Sequence, residues 1–162
     1  MHYVIDGYNV IKSEHSRISG GTLENQRQVL INAILQSRPQ GSEKNFVTVV
    51  FDGRSEDPFS GEGYTKQQQG FVEVLFSENT TADRIIERIV NEKRGRGETV
   101  VVSDDKGIKR ILGYSGAKFI SVSSFWKKVT KGGSNEDRSQ GIRDDVAQRV
   151  NEELKGTWLH EK

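Results

Sequence analysis

The chain has 162 residues, of which 24 are basic and 23 acidic, with a net charge of +1 and no cysteine. This length suits one compact domain, and the composition excludes disulfides, thiolate zinc sites and the roughly 18-residue apolar run of a membrane span. Its three histidines are scattered, so any bound metal should have carboxylate ligands. The first residues lack the basic leader of a secretory signal, and we expect a cytoplasmic protein that does not associate with membranes.

Five short segments rich in valine, isoleucine and phenylalanine predict β-strands. They are Tyr3 to Ile5, Phe46 to Phe51, Phe71 to Phe76, Thr99 to Val102 and Lys118 to Val122. Several are almost continuously apolar, which is typical of strands covered by helices on both faces. Together with the helical periodicity between them, they predict a doubly wound α/β fold around a mostly parallel, five-stranded sheet.

Capping residues bound the predicted helices. Thr22 and Thr81 are suitable N-caps for two amphipathic helices, and residues 106–112 should form a short helix. Ser123 or Ser124 could cap a further helix.

Two polar segments interrupt the pattern. Residues 53–69 predict a surface loop that could close over a substrate. Residues 131–140 predict a linker before a final amphipathic helix that carries Ile142, Val146, Val150 and Leu154. We therefore expect a domain at residues 1–130, on which the linker and C-terminal helix of residues 131–162 should pack.

The near-neutral total charge hides a basic middle segment. The net charge is −4 over residues 1–83, +7 over 84–131 and −2 over 132–162. If basic side chains of the middle segment share a face, they could neutralise several RNA phosphates; otherwise they form a solvated helical surface. The candidates for RNA binding are Arg84, Arg88, Lys106, Lys109 and Arg110.

Aspartates follow three of the predicted strands. They are Asp6 after the first strand, Asp52 after the second, and Asp104 with Asp105 beyond the fourth, where Ser103 precedes them. The carboxyl ends of parallel strands form the ligand crevice of open α/β sheets. Asp83, near the start of a helix, should face the same edge, so that five carboxylates converge there.

Clustered carboxylates repel one another, which indicates a bound cation or raised carboxyl pKa values. Ligation by oxygen alone suits Mg²⁺ or Mn²⁺, ions that activate water for phosphodiester hydrolysis. Each carboxylate also has a structural interpretation: Asp83 complements a helix dipole, Asp52 begins a turn, and Asp104 or Asp105 caps a helix. Their joint placement favours the metal site.

The segment Asp-Gly-Tyr-Asn-Val-Ile at residues 6–11 is the sharpest local signal. Its glycine permits a tight turn after the strand, and Asn9 supplies an amide near the proposed metal or simply supports the turn. Tyr8 could stack on an RNA base, with packing in the core as the alternative.

This segment, with Phe-Asp-Gly at 51–53 and Thr-Ala-Asp at 81–83, resembles the YacP-like NYN family of PIN-like nucleases. The resemblance covers residues 3–130. It implies a PIN-like three-layer sandwich and a divalent-metal endoribonuclease, with messenger RNA on the ribosome as the substrate of some members.

The resemblance also implies roles for individual residues. The implied catalytic residues are Asp6, Asn9, Asp83 and Asp104. The implied metal ligands are Asp6, Asp83 and Asp104, with Asp105 competing for the last position. Tyr8, Asp52 and Ser103 would line the site. Arg84 departs from the family pattern, in which many members have a second acid beside Asp83, and this departure would weaken the metal site or favour phosphate binding.

These observations favour an endoribonuclease that uses Mg²⁺ or Mn²⁺ and guides RNA with its basic segment. The alternative is a noncatalytic RNA- or ribosome-binding module with a degenerate site, which Arg84 would explain. A phosphatase is disfavoured because no aspartate lies two residues after Asp6, and a nucleotide-binding enzyme because the chain has no P-loop. No feature of the sequence predicts an oligomeric state.

Overall fold

A central sheet with helices on both faces forms the protein. The computed structural model describes residues 1–53 and 64–132. Within them, six strands form the sheet: β1 (His2–Asp6), β2 (Phe46–Asp52), β3 (Tyr64–Gln69), β4 (Val72–Ser77), β5 (Thr99–Val102) and β6 (Lys118–Ile120). The helices of this part are α1 (Gly7–Lys12), α2 (Leu23–Ser37), α3 (Ala82–Lys93), α4 (Lys106–Ile111) and α5 (Val122–Gly132). The predicted α/β class is confirmed.

The strand order places the end of β1 at a crevice. The strands lie in the order β3-β4-β2-β1-β5-β6, and all neighbouring pairs are parallel except β3 with β4. β2 lies on one side of β1 and β5 lies on the other, so the strand order reverses at β1. Such a reversal opens a ligand crevice at the carboxyl edge of the sheet.

One hydrophobic cluster on each face of the sheet explains why the central strands are almost continuously apolar. Ile5 and Val49 belong to the cluster under α1, α2 and α5, whereas their neighbours Val4 and Val50 belong to the cluster under α3 and α4. Because successive side chains of a strand point to opposite faces, a strand between two helical layers needs apolar residues at every position.

The sixth strand corrects the prediction of a loop over residues 53–69. β3 has the polar sequence Tyr-Thr-Lys-Gln-Gln-Gln, and it forms through backbone pairing with β4, from Tyr64 opposite Ser77 to Gln69 opposite Val72. A tight turn at Gly70, whose φ is +57°, joins the two strands. Polar side chains suit an edge strand, which is why the apolar pattern did not reveal it. Residues 54–63 of the predicted loop lie outside the described residues.

The predicted caps of α2 and α3 are confirmed. Thr22 accepts a hydrogen bond from the Asn25 amide at 3.2 Å, and Thr81 accepts one from the Arg84 amide at 3.3 Å. These bonds satisfy amides that have no partner within the helix. None of the helices in residues 1–53 and 64–132 has the length and apolar character needed to cross a membrane.

The start of α5 differs from the prediction. Ser121 is the capping residue, since its Oγ accepts a hydrogen bond from the Ser124 amide at 3.1 Å, and the expectation of Ser123 or Ser124 was wrong. The helix consequently begins at Val122, and β6 ends earlier than predicted. The linker beyond residue 132 and the final helix lie outside the described residues.

Gly7 is required by close packing at the start of α1. A Cβ atom built on Gly7 would lie 2.2 Å from Cε1 of Phe51, a ring that is fully buried. We expect Gly7→Ala to lower the free energy of unfolding by about 1–3 kcal/mol, because a packed core resists an added methyl group. Urea unfolding measures this change.

Phe51→Leu provides the control, because it makes room beside Gly7. The double variant should lose less stability than the sum of the two single variants, as expected for residues in contact. Strictly additive losses would show that the two residues do not compete for this space.

Candidate active site

Five carboxylates meet in one open pocket at the carboxyl edge of the sheet. The pocket has a volume of about 440 Å³. Its lining residues are Asp6, Tyr8, Asn9, Lys12, Ser13, Asp52, Asp83, Asp104 and Asp105. The aspartates come from the ends of β1 and β2, the start of α3 and the β5–α4 connection, so the convergence expected from the strand ends is present.

Asp6 is the most buried of these acids, with 8% of its surface exposed. Its Oδ1 accepts a hydrogen bond from the Asn9 amide at 3.3 Å, and its Oδ2 accepts one from Ser103 Oγ at 3.2 Å. The pKa of Asp6 is raised to about 6, chiefly by burial and to a smaller extent by the charges of Asp83 and Asp105, while the hydrogen bonds from Asn9 and Ser103 act in the opposite direction. The group is therefore mostly ionised only above pH 6.

Asp83 is half-buried at the start of α3. Burial raises the pKa of this carboxyl group, and the negative charges of Asp105 and Asp52 act in the same direction. Among the described residues no hydrogen-bond donor contacts the Asp83 side chain. It is therefore the pocket acid best placed to accept an external ligand.

The other three acids are bonded to backbone amides. Asp52 Oδ1 accepts from the Ala82 amide at 2.7 Å, and also from Ser77 Oγ at 3.0 Å. Asp105 caps α4, and Asp104 Oδ1 accepts from the Val122 amide at the start of α5 at 3.1 Å. The structural interpretation of Asp105 as a cap is correct, and it coexists with a place in the pocket.

Asn9 and Ser103 connect the elements that carry the acids. Asn9 Oδ1 accepts from the Asp104 amide at 2.7 Å, which joins α1 to the β5–α4 connection. Ser103 is fully buried, donates to Asp6 and accepts from the Asp105 amide at 3.1 Å. Both residues thus orient acids, and Ser103 lies behind the pocket rather than in its lining.

Tyr8 packs between the pocket and the core. Its ring lies 5.2 Å from the Phe51 ring, and its hydroxyl accepts hydrogen bonds from the Arg27 guanidinium. The Lys12 ammonium lies over the same ring, 5.0 Å from its centre. The packing alternative therefore describes Tyr8 in this structure.

Lys12 and Ser13 line the pocket, and the sequence analysis missed both. Lys12 is four residues after Tyr8 in α1, so the two side chains share a face of the helix. The helical spacing between Tyr8 and Lys12, which directly follows the segment of residues 6–11, was the signal that could have identified a cation beside the acids.

The five basic candidates for RNA binding lie outside the pocket lining. Arg84 and Arg88 are on α3, whereas Lys106, Lys109 and Arg110 are on α4, and both helices cover the same face of the sheet. Arg88 is paired with Glu92 at 2.9 Å. Whether these side chains form one RNA-binding surface or a solvated helical surface stays open, and their contact with RNA stays a prediction.

The whole chain resembles one family of nucleases. The family model described as YacP-like NYN domain matches residues 3–161. The chain belongs to the YacP-like NYN family.

Solved structures agree with the family assignment. A crystal structure of the W164L mutant of Rae1 (YacP) from Bacillus subtilis matches with a TM-score of 0.66 and 25% identity, over 96% of this chain and 91% of that one. A second structure of Rae1 (YacP) from the same organism matches with a TM-score of 0.65 and 23% identity, over 98% and 86% of the two chains. No curated protein matches the chain. The chain therefore has the fold of the YacP-like NYN nucleases.

NYN nucleases are in general metal-dependent, and the oxygen donors of this pocket suit Mg²⁺ or Mn²⁺. In the described part of the chain, no three acidic groups are arranged to hold one ion together. Mg²⁺ usually keeps several water ligands and binds through one or two carboxylates, so the donor set fits such an ion. Mutual repulsion of Asp6, Asp83 and Asp105 gives a cation a further electrostatic advantage.

Asp6→Asn should stabilise the metal-free NYN domain. A carboxyl group whose pKa rises from 3.8 to about 6 on folding destabilises the folded state when it is ionised. The full destabilisation is present above pH 6, and it disappears below about pH 4, where the group is protonated in both states. The substitution should therefore raise the free energy of unfolding by up to about 3 kcal/mol at pH 7.5. Urea unfolding at pH 7.5 and pH 4 with a chelator present measures this effect.

Glu43→Gln is the matched control, since it removes one exposed carboxylate that pairs with Arg38 before β2. It should have little effect at either pH. If the Asp6→Asn variant is no more stable than the wild type at pH 7.5, the ionised carboxylate of Asp6 does not destabilise the folded state.

Proposed function

We propose that this protein is a divalent-metal-dependent endoribonuclease that hydrolyses RNA phosphodiester bonds. The observation that carries the proposal is the convergence of five aspartates in one open pocket of a nuclease-family fold. An open pocket admits a polymer, and clustered acids suit a metal ion and not a phosphate alone. The family resemblance extends the proposal to messenger RNA on the ribosome.

In this proposal Asp6 and Asp83 hold Mg²⁺ or Mn²⁺ directly, and Asp104 or Asp105, as the third acid, binds water ligands of the ion. When bound, the ion supplies an acidic water and neutralises charge on the phosphate. Asp6 is available as an anionic ligand above its pKa of about 6. Asp83 is available because no described donor bonds to its carboxylate.

The remaining pocket residues position these acids and the phosphate. Asn9 holds the backbone at Asp104, and Ser103 holds the carboxylate of Asp6. Lys12 is exposed and lines the pocket with its ammonium over the Tyr8 ring, and in this proposal it binds the scissile phosphate.

Arg84 does not disable this arrangement. Its side chain is exposed and is not part of the pocket lining, while Asp83 beside it faces the pocket. Replacement of an acid by arginine at this position therefore removes a possible additional ligand but leaves the five acids in place. On the surface of α3, Arg84 is available to an RNA phosphate.

A noncatalytic RNA-binding module is the second candidate. It is favoured by the absence, among the described residues, of three acids arranged around one point, and by the bonding of Asp52, Asp104 and Asp105 to backbone amides. The two candidates differ in metal binding and in turnover of RNA, either free or on ribosomes.

Manganese binding separates them without the need for the natural RNA. We expect saturable binding of Mn²⁺ to the wild type, measured by electron paramagnetic resonance of free Mn²⁺ at pH 7.5. Asp6→Asn and Asp83→Asn should each weaken it at least tenfold, since each removes one anionic ligand or neighbour. Both variants should retain the fold by circular dichroism.

Glu43→Gln removes the same charge outside the pocket and should bind Mn²⁺ like the wild type. If the wild type binds no Mn²⁺, or if neither aspartate variant differs from it, the metal-dependent mechanism is wrong and the noncatalytic candidate is favoured. If Mn²⁺ binds as expected, cleavage of RNA by the wild type and its loss in both variants complete the test.

Charge removal on α3 and α4 should weaken RNA binding rather than metal binding. Arg84→Gln/Lys109→Gln should bind single-stranded RNA more weakly and lower the slope of log affinity against log salt by about 1.4, or about 0.7 per lost phosphate contact. Fluorescence anisotropy over a salt series measures this slope. Lys44→Gln, which removes an exposed charge from the α2–β2 connection, should leave the slope unchanged, and equal slopes in all proteins would exclude this face.

A further inference from the structure

A second pocket lies between α2 and the edge strand β3. Its volume is about 210 Å³. Ile31 and Phe76 supply buried apolar surface, and Arg27, Gln28, Gln67 and Gln69 supply polar groups. This pocket exists because β3 forms, since Gln67 and Gln69 lie on the same side of that strand.

Arg27 connects the second pocket to the acidic one. It lines the second pocket, and its Nε donates to the hydroxyl of Tyr8, which lines the acidic pocket, at 2.7 Å. Its guanidinium also lies over the Phe76 and Phe51 rings, 5.3 and 5.7 Å from their centres. A ligand long enough to occupy both pockets therefore passes this arginine, whose remaining N–H groups suit a phosphate.

The polar groups of the second pocket match the edge of a base. Gln28 Nε2 donates to Asn32 at 3.0 Å and to Gln69 Oε1 at 3.2 Å. These bonds use both amide protons of Gln28 but leave its carbonyl oxygen, and they do not use the amide protons of Gln69. The pair thus offers an acceptor beside a donor, which is the pattern that reads the edge of an unpaired base.

Size and charge also favour a base over a phosphate or a metal. The pocket is smaller than the roughly 300–1,000 Å³ of sites for drug-sized ligands, and it combines an apolar base with amide groups. Its charged residues, Glu24 and Arg27, have opposite signs, whereas five acids face Lys12 in the neighbouring pocket. A flat, uncharged group with a polar edge is complementary to this environment.

We propose that the pocket between α2 and β3 binds one unpaired base of an RNA strand, next to the phosphate held in the acidic pocket. Gln28 and Gln69 contact the base edge, Phe76 and Ile31 contact its apolar surface, and Arg27 contacts the sugar-phosphate backbone between the two pockets. The proposal rests on RNA being the substrate of the acidic pocket. Metal chemistry is not needed for this binding.

The test compares two ligands of the same charge: a short single-stranded RNA, and the same backbone with every base removed. Affinities of the full-length protein are measured by fluorescence anisotropy with a chelator present, so that no metal-dependent cleavage occurs. Gln28→Ala/Gln69→Ala should weaken binding of the intact RNA about tenfold and leave binding of the abasic backbone unchanged. Circular dichroism and urea unfolding confirm that the variant is folded.

Gln68→Ala is the matched control, because Gln68 lies between the two pocket glutamines of β3 but does not line the pocket. It should bind both ligands like the wild type. Wild-type affinity of the double variant for intact RNA, equal weakening for both ligands, or absence of RNA binding by the wild type would each overturn the proposal. The nuclease proposal fails separately if the wild type shows no Mn²⁺ binding or no RNA turnover while the double variant still weakens binding of the intact RNA alone.

Discussion

The repulsion between carboxylates at one edge of the sheet is the constraint on which the candidate site depends. Backbone amides at helix starts hold these charges: Asp6 accepts from α1, Asp52 from α3, Asp104 from α5 and Asp105 from α4. The positive end of a helix dipole stabilises such a charge, but the compensation is incomplete because the pKa of Asp6 still rises to about 6. The same residues therefore accept hydrogen bonds from helix starts and, because their charges repel one another, favour the binding of a cation.

Aromatic packing behind the acids connects the two pockets. Gly7 allows α1 to approach Phe51, whose ring packs against Tyr8 at 5.2 Å and against Phe76 at 5.6 Å. Arg27 lies over this group of rings, and its cation gains from their negative faces. A buried contact at the first turn of α1 thus supports residues that line both pockets.

In the described residues, the pocket acids and the basic side chains of α3 and α4 lie in different places. Acids at the end of the central strands suit a metal ion, while the basic side chains of α3 and α4 suit the RNA backbone outside the pocket. Because these cations are not part of the pocket lining, they leave the pocket acids available to the proposed metal ion. Lys12 is the exception, since it lies at the acidic pocket and there suits a phosphate.

The sequence by itself determined the fold class, the family and the acids of the site. Continuous apolar strands require two helical layers, and an aspartate directly after such a strand must lie at the carboxyl edge. Tertiary structure decided what depends on partners distant in the chain. Polar β3 forms because its backbone pairs with that of β4, and Tyr8 packs against the core because its ring contacts Phe51 and its hydroxyl is bonded to Arg27. The pattern of residues in one segment indicates its burial and its periodicity. Backbone pairing and side-chain contacts between remote segments depend on both partners, so neither segment alone predicts them.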